Sequence, residues 1–235
     1  MRVEGFFKGK MKPNIVYEDD KIIICNKRPG IASQSEKGFE VDLLSSVLTY
    51  RTQKKESAVA HIINRLDKPV GGLVLFAKDK QTAATLSALS GEHSIEKMYY
   101  AVVEGVLEDK GEFKDYLVKD GRTNVSRVCG PDEKDAKKAL LSYETLGTKE
   151  IEGQIYSLVR IKLYTGRHHQ IRVQFSSRGY ALYGDMKYNK NFAGKRGVVP
   201  ALFAYSLSFN NPSGAERIRV EVMPEGKIWD FEYFR

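Results

Sequence analysis

The chain has 235 residues and carries 38 Lys and Arg against 30 Asp and Glu, a net charge of +8, with 42% hydrophobic and 29% charged content. That length suggests one large domain or two small ones, and the composition is that of a soluble globular protein with a real core. Two cysteines far apart in sequence exclude a disulfide framework. No apolar run approaches the roughly 18 residues of a membrane span, and the basic start lacks the apolar core of a signal peptide, so a cytoplasmic protein is expected.

In chain order, Glu18-Asp19-Asp20 reads as a turn, followed by a short strand over 22–25 and a break at Pro29-Gly30. Residues 41–50 suit a short helix. A five-residue apolar run over 73–77 has the length and composition of a buried strand. Ahead of it, Pro69, Gly71 and Gly72 mark a turn, and Gly72 would let another backbone approach closely. Asp67 therefore sits on a loop feeding a core strand, held by rigid structure yet open to solvent, with Arg65 two residues away. Taken alone, an Arg-x-Asp is more often a turn cap paired to a neighbouring cation than a working carboxylate.

Asp79 is a natural N-cap for a helix carrying Ala83, Leu86 and Leu89 at helical spacing and stopping at Gly91. Residues 99–107 read as a strand interrupted by Gly105. The charged stretch 109–138 reads as hairpins, and 140–143, 156–163, 201–209 and 217–222 as strands. Strands outnumber helices without regular crossovers between them, so α+β fits better than a doubly wound sheet.

The charge is concentrated. Between Arg160 and Arg196 lie nine Lys or Arg against one acid, Asp185. Clustered positive charge is the footprint of a polyanion partner, though such a run is often only a solvated face. Within it, the glycine-bounded stretch 166–179 favours a helix, placing His168, Arg172 and Phe175 near one face. His168-His169 lacks a third metal ligand, and adjacent side chains diverge on a helix. Anion recognition by Arg167 and Arg172 is the better reading.

Together these segments resemble the RluA-type RNA pseudouridine synthases. Asn64-Arg65-Leu66-Asp67-Lys-Pro-Val-Gly-Gly-Leu is similar to that family's catalytic His-Arg-Leu-Asp followed by Thr-Ser-Gly-Leu. Lys97-Met-Tyr99-Tyr-Ala101, with Gly105, resembles its Lys-x-Tyr-x-Ala…Gly segment. Thr165-Gly-Arg-His-His-Gln-Ile-Arg172-Val, with Gly184-Asp185 and Tyr188, resembles its Thr-Gly-Arg-x-His-Gln-Ile-Arg-Val…Gly-Asp…Tyr run. The opening around Asn26-Lys27 and the closing Leu202-Phe-Ala204 also fit. The match runs along about the whole chain, and its motifs are jointly specific. The departures are Asn64 where the family has His, Val70-Gly71 where it has Thr-Ser, and Gln174 and Phe203 where His is common.

The resemblance implies a single pseudouridine synthase catalytic domain over 1–235, with 1–13 as a basic extension and no separate RNA-binding module in front. Its fold would be a large mixed, mostly antiparallel central sheet flanked by helices and loops. The implied reaction is isomerisation of uridines in structured RNA, an rRNA or tRNA stem-loop, without metal or organic cofactor, by a monomer needing no protein partner. Asp67 is the implied nucleophile or base. Arg172, with Arg65 as a second candidate, is expected to pair with it and keep it ionised. Tyr99 would offer a flat face to the extruded base and a hydroxyl near the final proton removal. Substrate contacts fall to Arg65, Arg167, His169, Gln170 and Leu202. Two other classes share the residues: a catalytically silent RNA-binding protein, disfavoured by an intact Asp67 and Tyr99, and a nucleoside or glycoside hydrolase, which would need a second carboxylate.

Overall fold

The computed structural model describes residues 12–35, 41–212, 214 and 216–234, so most of the basic extension expected over 1–13 lies outside the described residues. The strands are β1 (Ile15–Glu18), β2 (Ile22–Lys27), β3 (His61–Ile62), β4 (Gly71–Ala77), β5 (Glu96–Glu104), β6 (Lys110–Asp120), β7 (Val125–Cys129), β8 (Lys137–Ile151), β9 (Gln154–Leu163), β10 (Leu202–Asn210) and β11 (Arg217–Glu221). Three helices, α1 (Leu43–Gln53), α2 (Lys80–Gly91) and α3 (Gln170–Ser176), complete the regular elements, with short 3-10 turns after them. No helix among the described residues is long and apolar enough to cross a membrane.

All the strands join one sheet in the order β1-β2-β4-β10-β5-β9-β8-β6-β7, with β3 added to β4 and β11 to β10. Its pairings are antiparallel except β4 with β10, where Gly71 faces Phe203 and Gly72 faces Ala204. The backbones approach so closely there that a Cβ on Gly72 would lie 2.2 Å from the Ala204 carbonyl oxygen. Gly72 also holds a φ of +116°, which L side chains rarely adopt. The architecture is the α+β, mostly antiparallel sheet expected.

Alternation along β5 divides the interior. Tyr99, Ala101 and Val103 join Ile171, Phe175 and Val70 on the face that carries the site, whereas Tyr100 and Val102 pack with Phe203, Tyr205 and Trp229 behind it. A third cluster sets Leu86 of α2 on Ile22, Ile24, Leu73 and Leu75. Asp79 caps α2 as expected, accepting from Thr82 N at 2.8 Å.

Several bounds differ from the sequence reading. β5 runs Glu96–Glu104 rather than 99–107, because Gly105, at φ +84°, turns the chain. β8 extends far beyond 140–143: its polar second half is held by a ladder to β9 rather than by buried side chains. The helix expected over 166–179 is only Gln170–Ser176, since His169 before it is left-handed at φ +53°. His168 therefore precedes the helix and shares no helical face with Arg172.

Candidate active site

The Asp67 loop is tied down on both sides. The Ser33 hydroxyl donates to the Leu66 carbonyl at 2.9 Å and accepts the Leu66 N–H at 3.0 Å. Leu66 and Val70 are buried, and Val70 N–H closes a turn onto the Asp67 carbonyl at 3.0 Å. Gly30 N–H and the buried Lys27 ammonium both donate to the Lys68 carbonyl, at 2.8 and 3.3 Å. Asn64 acts as an extra rung: its amide donates to Leu73 O at 3.1 Å and accepts Leu75 N–H at 2.8 Å. Two further departures from the family pattern complement each other, since a Cβ on Gly71 would lie only 3.0 Å from the Phe203 ring. The loop thus keeps its frame without the family's His and Thr-Ser.

On this frame the Asp67 side chain is 28% exposed, and its Oδ2 accepts from Arg172 Nη1 at 3.0 Å. Arg172 is itself clamped. Its Nε and Nη2 donate at 2.7 Å each to the two oxygens of Asp185, which is fully buried. Burial opposes the arginine's charge, but Asp185 and then Asp67 outweigh it and raise its pKa above the ordinary value. The guanidinium also lies over the Tyr188 ring, 5.1 Å from its centroid. Gly184 lets the chain reach this position, because a Cβ there would lie 2.2 Å from Val199 O.

A second hand reaches Asp67 from His169, whose Nε2 is 3.5 Å from Oδ2. Burial pushes the His169 pKa down to about 3, so the ring is neutral at physiological pH. Its Nδ1 is 2.7 Å from the Tyr188 hydroxyl, and that hydroxyl accepts Ser126 N–H at 2.8 Å. The arrangement that satisfies all three has Tyr188 donating to Nδ1, which leaves the Nε2 proton aimed at Asp67. Both approaches to Asp67 use Oδ2, and Oδ1 has no partner among the described residues. His168 stacks on His169 at 3.7 Å and meets the Ser126 hydroxyl through Nδ1 at 2.8 Å.

These residues sit in a cavity of about 1060 Å³ that Tyr99 and Leu202 also line. Burial, with the nearby Asp67 charge, raises the Tyr99 pKa, so it remains a phenol, and no described residue hydrogen-bonds its hydroxyl. Asp67 is the one acid among the described lining residues, against Arg65, Lys68, Lys97, Lys119, Arg167 and Arg172. Among the described residues there is no second carboxylate to serve a hydrolytic site, since Asp185 is sealed behind Arg172.

Two site expectations are corrected. No hydrogen bond or ion pair joins Arg65 to Asp67 among the described residues; Arg65 is exposed and lines the cavity, and the arginine that meets Asp67 is Arg172. Gln170 is buried and its amide is committed to the protein: Oε1 accepts from Thr165 Oγ1 and Arg167 N, and Nε2 donates to Leu140 O. It shapes the 165–167 turn rather than reaching a ligand. Arg167, exposed, spends only its Nε, on Lys138 O at 2.9 Å. Sequence reasoning missed Ser33 and gave Asp185 no role; the signal for Asp185 was its being the lone acid in the basic run.

Comparisons with known proteins show the family. The RNA pseudouridylate synthase family profile matches residues 21–177. An uncharacterized RNA pseudouridine synthase of Aquifex aeolicus is 31% identical over 223 residues, spanning 89% of this chain and 68% of that protein. tRNA pseudouridine synthase C of Haemophilus ducreyi is 29% identical over 226 residues, 91% of both chains. Ribosomal large subunit pseudouridine synthase D of Neisseria meningitidis is 29% identical over 92% of this chain but only 59% of its own length. In fold, human RNA pseudouridylate synthase domain containing 1 superposes with a TM-score of 0.76 at 22% identity, covering 92% of this chain and 85% of the other. Sheet, clamp and matches together define an RNA-modifying isomerase. The chain belongs to the RNA pseudouridylate synthase family, in its RluA-type branch. Its reaction converts uridine in RNA to pseudouridine.

Proposed function

We propose that the enzyme isomerises a uridine in a stem-loop of ribosomal or transfer RNA, with Asp67 as the acting carboxylate. One observation carries the reading: Arg172 donates to Oδ2 at 3.0 Å, with His169 Nε2 3.5 Å from the same oxygen, while Oδ1 has no partner among the described residues. A charged, aimed oxygen with no competing partner is what either a nucleophile or a base requires. In each route the bond between ribose C1′ and base N1 breaks and the uracil turns in place. C1′ then bonds to C5, and C5 gives up its proton. Tyr99 supports the base with its ring, and its phenol relays that proton.

The substrate class follows from charge and from the relatives. The cavity's six cations face a single acid, and phosphates supply the matching anions. Flipping a uridine out of a stack costs a few kcal/mol, which those contacts offset. The relatives' names divide between tRNA and the large ribosomal subunit, so both are substrates to test. The chemistry is redox-neutral and calls for no cofactor. The reading further assigns one catalytic domain acting as a monomer in the cytoplasm, with Arg65, Arg167, His169 and Leu202 touching RNA or base.

The test is Asp67→Asn. Unmodified tRNA and rRNA from cells lacking the gene are incubated with excess enzyme, and pseudouridines are mapped. The parent protein should modify a defined position. Asp67→Asn should bind the same RNA with at least equal affinity and form no detectable product in a single turnover. A folded Asn variant that isomerises at a measurable fraction of the parent rate would overturn the assignment of Asp67.

A further inference from the structure

Lys97 is a buried cation of the cavity that stands outside the clamp. It stands on β5 two residues before Tyr99, so alternation places both side chains on the same face, about 7 Å apart along the strand. Both line the cavity, and Lys97 shares its end of it with Ser90, Gly91 and His93, around the C-terminus of α2. Only 8% of Lys97 is exposed, yet among the described residues it has no hydrogen bond and no ion pair. The neighbouring acid on the strand, Glu96, faces the other side of the sheet, where it pairs with Lys162 at 3.4 Å and Arg217 at 3.3 Å. The cavity's own acid is held by Arg172 and His169.

Lys27 shows what this sheet does with a lysine it buries for structure. It is 1% exposed, and its ammonium donates to three carbonyls, Arg28 O, Ile31 O and Lys68 O, at 3.3, 2.7 and 3.3 Å. Lys97 has nothing comparable. Its nitrogen is not sealed either: the described side-chain atoms fully buried without a partner are His61 Nε2 and Gln174 Oε1. The ammonium therefore opens into the cavity. Burial lowers the Lys97 pKa, the mark of a charge that the surrounding protein does not compensate. Burying a charge without a counter-charge is costly, and such a cost persists where the free state is not the working one.

We infer that Lys97 is an anion subsite of the active-site cavity that takes a phosphodiester beside the flipped uridine. The inference rests on the proposed RNA reading and deepens it. A uracil carbonyl would satisfy one N–H but would leave the charge uncompensated; a phosphodiester supplies both the acceptor oxygens and the missing negative charge. Lys97 and Tyr99 would then grip neighbouring parts of one nucleotide unit, fixing the sugar between phosphate and base while Asp67 acts on it. Lys97 is on this account a substrate-binding residue, separate from the clamp.

Three readouts on Lys97→Met decide it. First, thermal unfolding without RNA: the variant should melt at or above the parent temperature, by about 2 °C or more, because an uncompensated buried charge has been replaced by an apolar chain of similar length. A clear fall would mean that the ammonium has a structural partner and would overturn the subsite. Second, binding to unmodified tRNA transcript and to a large-subunit rRNA fragment between 50 and 200 mM KCl: the log–log salt slope should lessen by about 0.7–0.9, one phosphate's worth. An unchanged slope on both RNAs overturns it. Third, a stem-loop around a converted uridine is made with single neutral methylphosphonates at each flanking linkage. One linkage should weaken parent binding about tenfold and Lys97→Met less than twofold; losses that simply add at every linkage overturn it. Failure of the broader reading looks different: the parent protein would then form no pseudouridine in either RNA, while the melting and salt measurements would still decide on Lys97.

Discussion

Both faces of the sheet carry cations and put them to different ends. On the rear, Arg160, Arg217 and Arg219 border a hollow of about 420 Å³. Each is matched: Arg160 with Glu144, Arg217 with Glu96 and Arg219 with Glu221. On the front, Arg65, Lys97, Lys119 and Arg167 line the cavity with no ion pair among the described residues. The lesson is that a cation's meaning lies in whether the fold has already supplied its counter-charge. The rear arginines are committed to the protein's own carboxylates, and these front cations have none among the described residues.

The comparison is broken most forcefully at Arg172, a front cation that the fold has already paired. Asp185→Asn leaves Arg172 buried with a single charged partner, and losing one member of a buried pair costs about 3–5 kcal/mol. The freed guanidinium no longer fixes Oδ2 of Asp67, and a misplacement of about 1 Å costs roughly a hundredfold in rate. Lowered thermal stability should thus accompany a single-turnover rate about a hundredfold below the parent, measured well below the melting point. Normal turnover in the Asn variant would show that the clamp is dispensable.

Charge reversal sharpens the contrast between faces. Lys119→Glu or Arg167→Glu should weaken RNA binding severalfold at 100 mM salt and reduce the salt slope by about one. Arg217→Glu or Arg219→Glu on the rear should alter affinity less than twofold. Equal effects on both faces would mean that RNA wraps the whole sheet edge. The smallest effect is expected at Glu18, away from both faces. Burial would raise its pKa, but hydrogen bonds from Lys78, Tyr50 and Lys54 outweigh that and bring it to about 2. A folded value below the unfolded one gives stability that is present above about pH 4.5 and lost as pH falls toward 2. Glu18→Gln should therefore cost about 1.5–3 kcal/mol near pH 7, a deficit that closes on acidification, with RNA binding unchanged.

Much of the site was legible in the residues, and what was not has identifiable reasons. Punctuation by Pro69, Gly71 and Gly72 before an apolar run placed Asp67 on a loop at the head of a core strand, as found. Strand-like composition found β5 and β10 to within a few residues, and alternation found β11. Linear charge counting did worse. Among the described residues four of the nine cations in 160–196 meet acids, and four of those five acids lie outside the segment: Glu144 for Arg160, Glu96 for Lys162, Asp115 for Arg178 and Asp67 for Arg172. Only Arg172 uses the segment's own Asp185. Ser33 was invisible because its task, a pair of hydrogen bonds to one backbone unit, leaves no periodicity and no motif. The shortness of α3 turned on one left-handed residue, His169, which propensity does not foresee.

The insertion of β10 between β4 and β5 has a consequence in time as well as in space. Asp67 leads into β4 and Tyr99 lies on β5, yet these strands do not pair with each other; each is joined to β10 instead. While a chain is being synthesised, both residues emerge long before the strand that brings them together, and a partly made protein holds the parts of the cavity without the cavity. Closing that gap means pairing Gly71 with Phe203 across a very long loop, the kind of contact that forms late and slowly. Until then β5 presents one unpaired edge, and Gly71 and Gly72 of β4 lack their β10 partners, amid the crowded surroundings of the ribosome. The cavity is therefore completed in one step, when β10 has been made and docked, and the same step covers the open edge of β5.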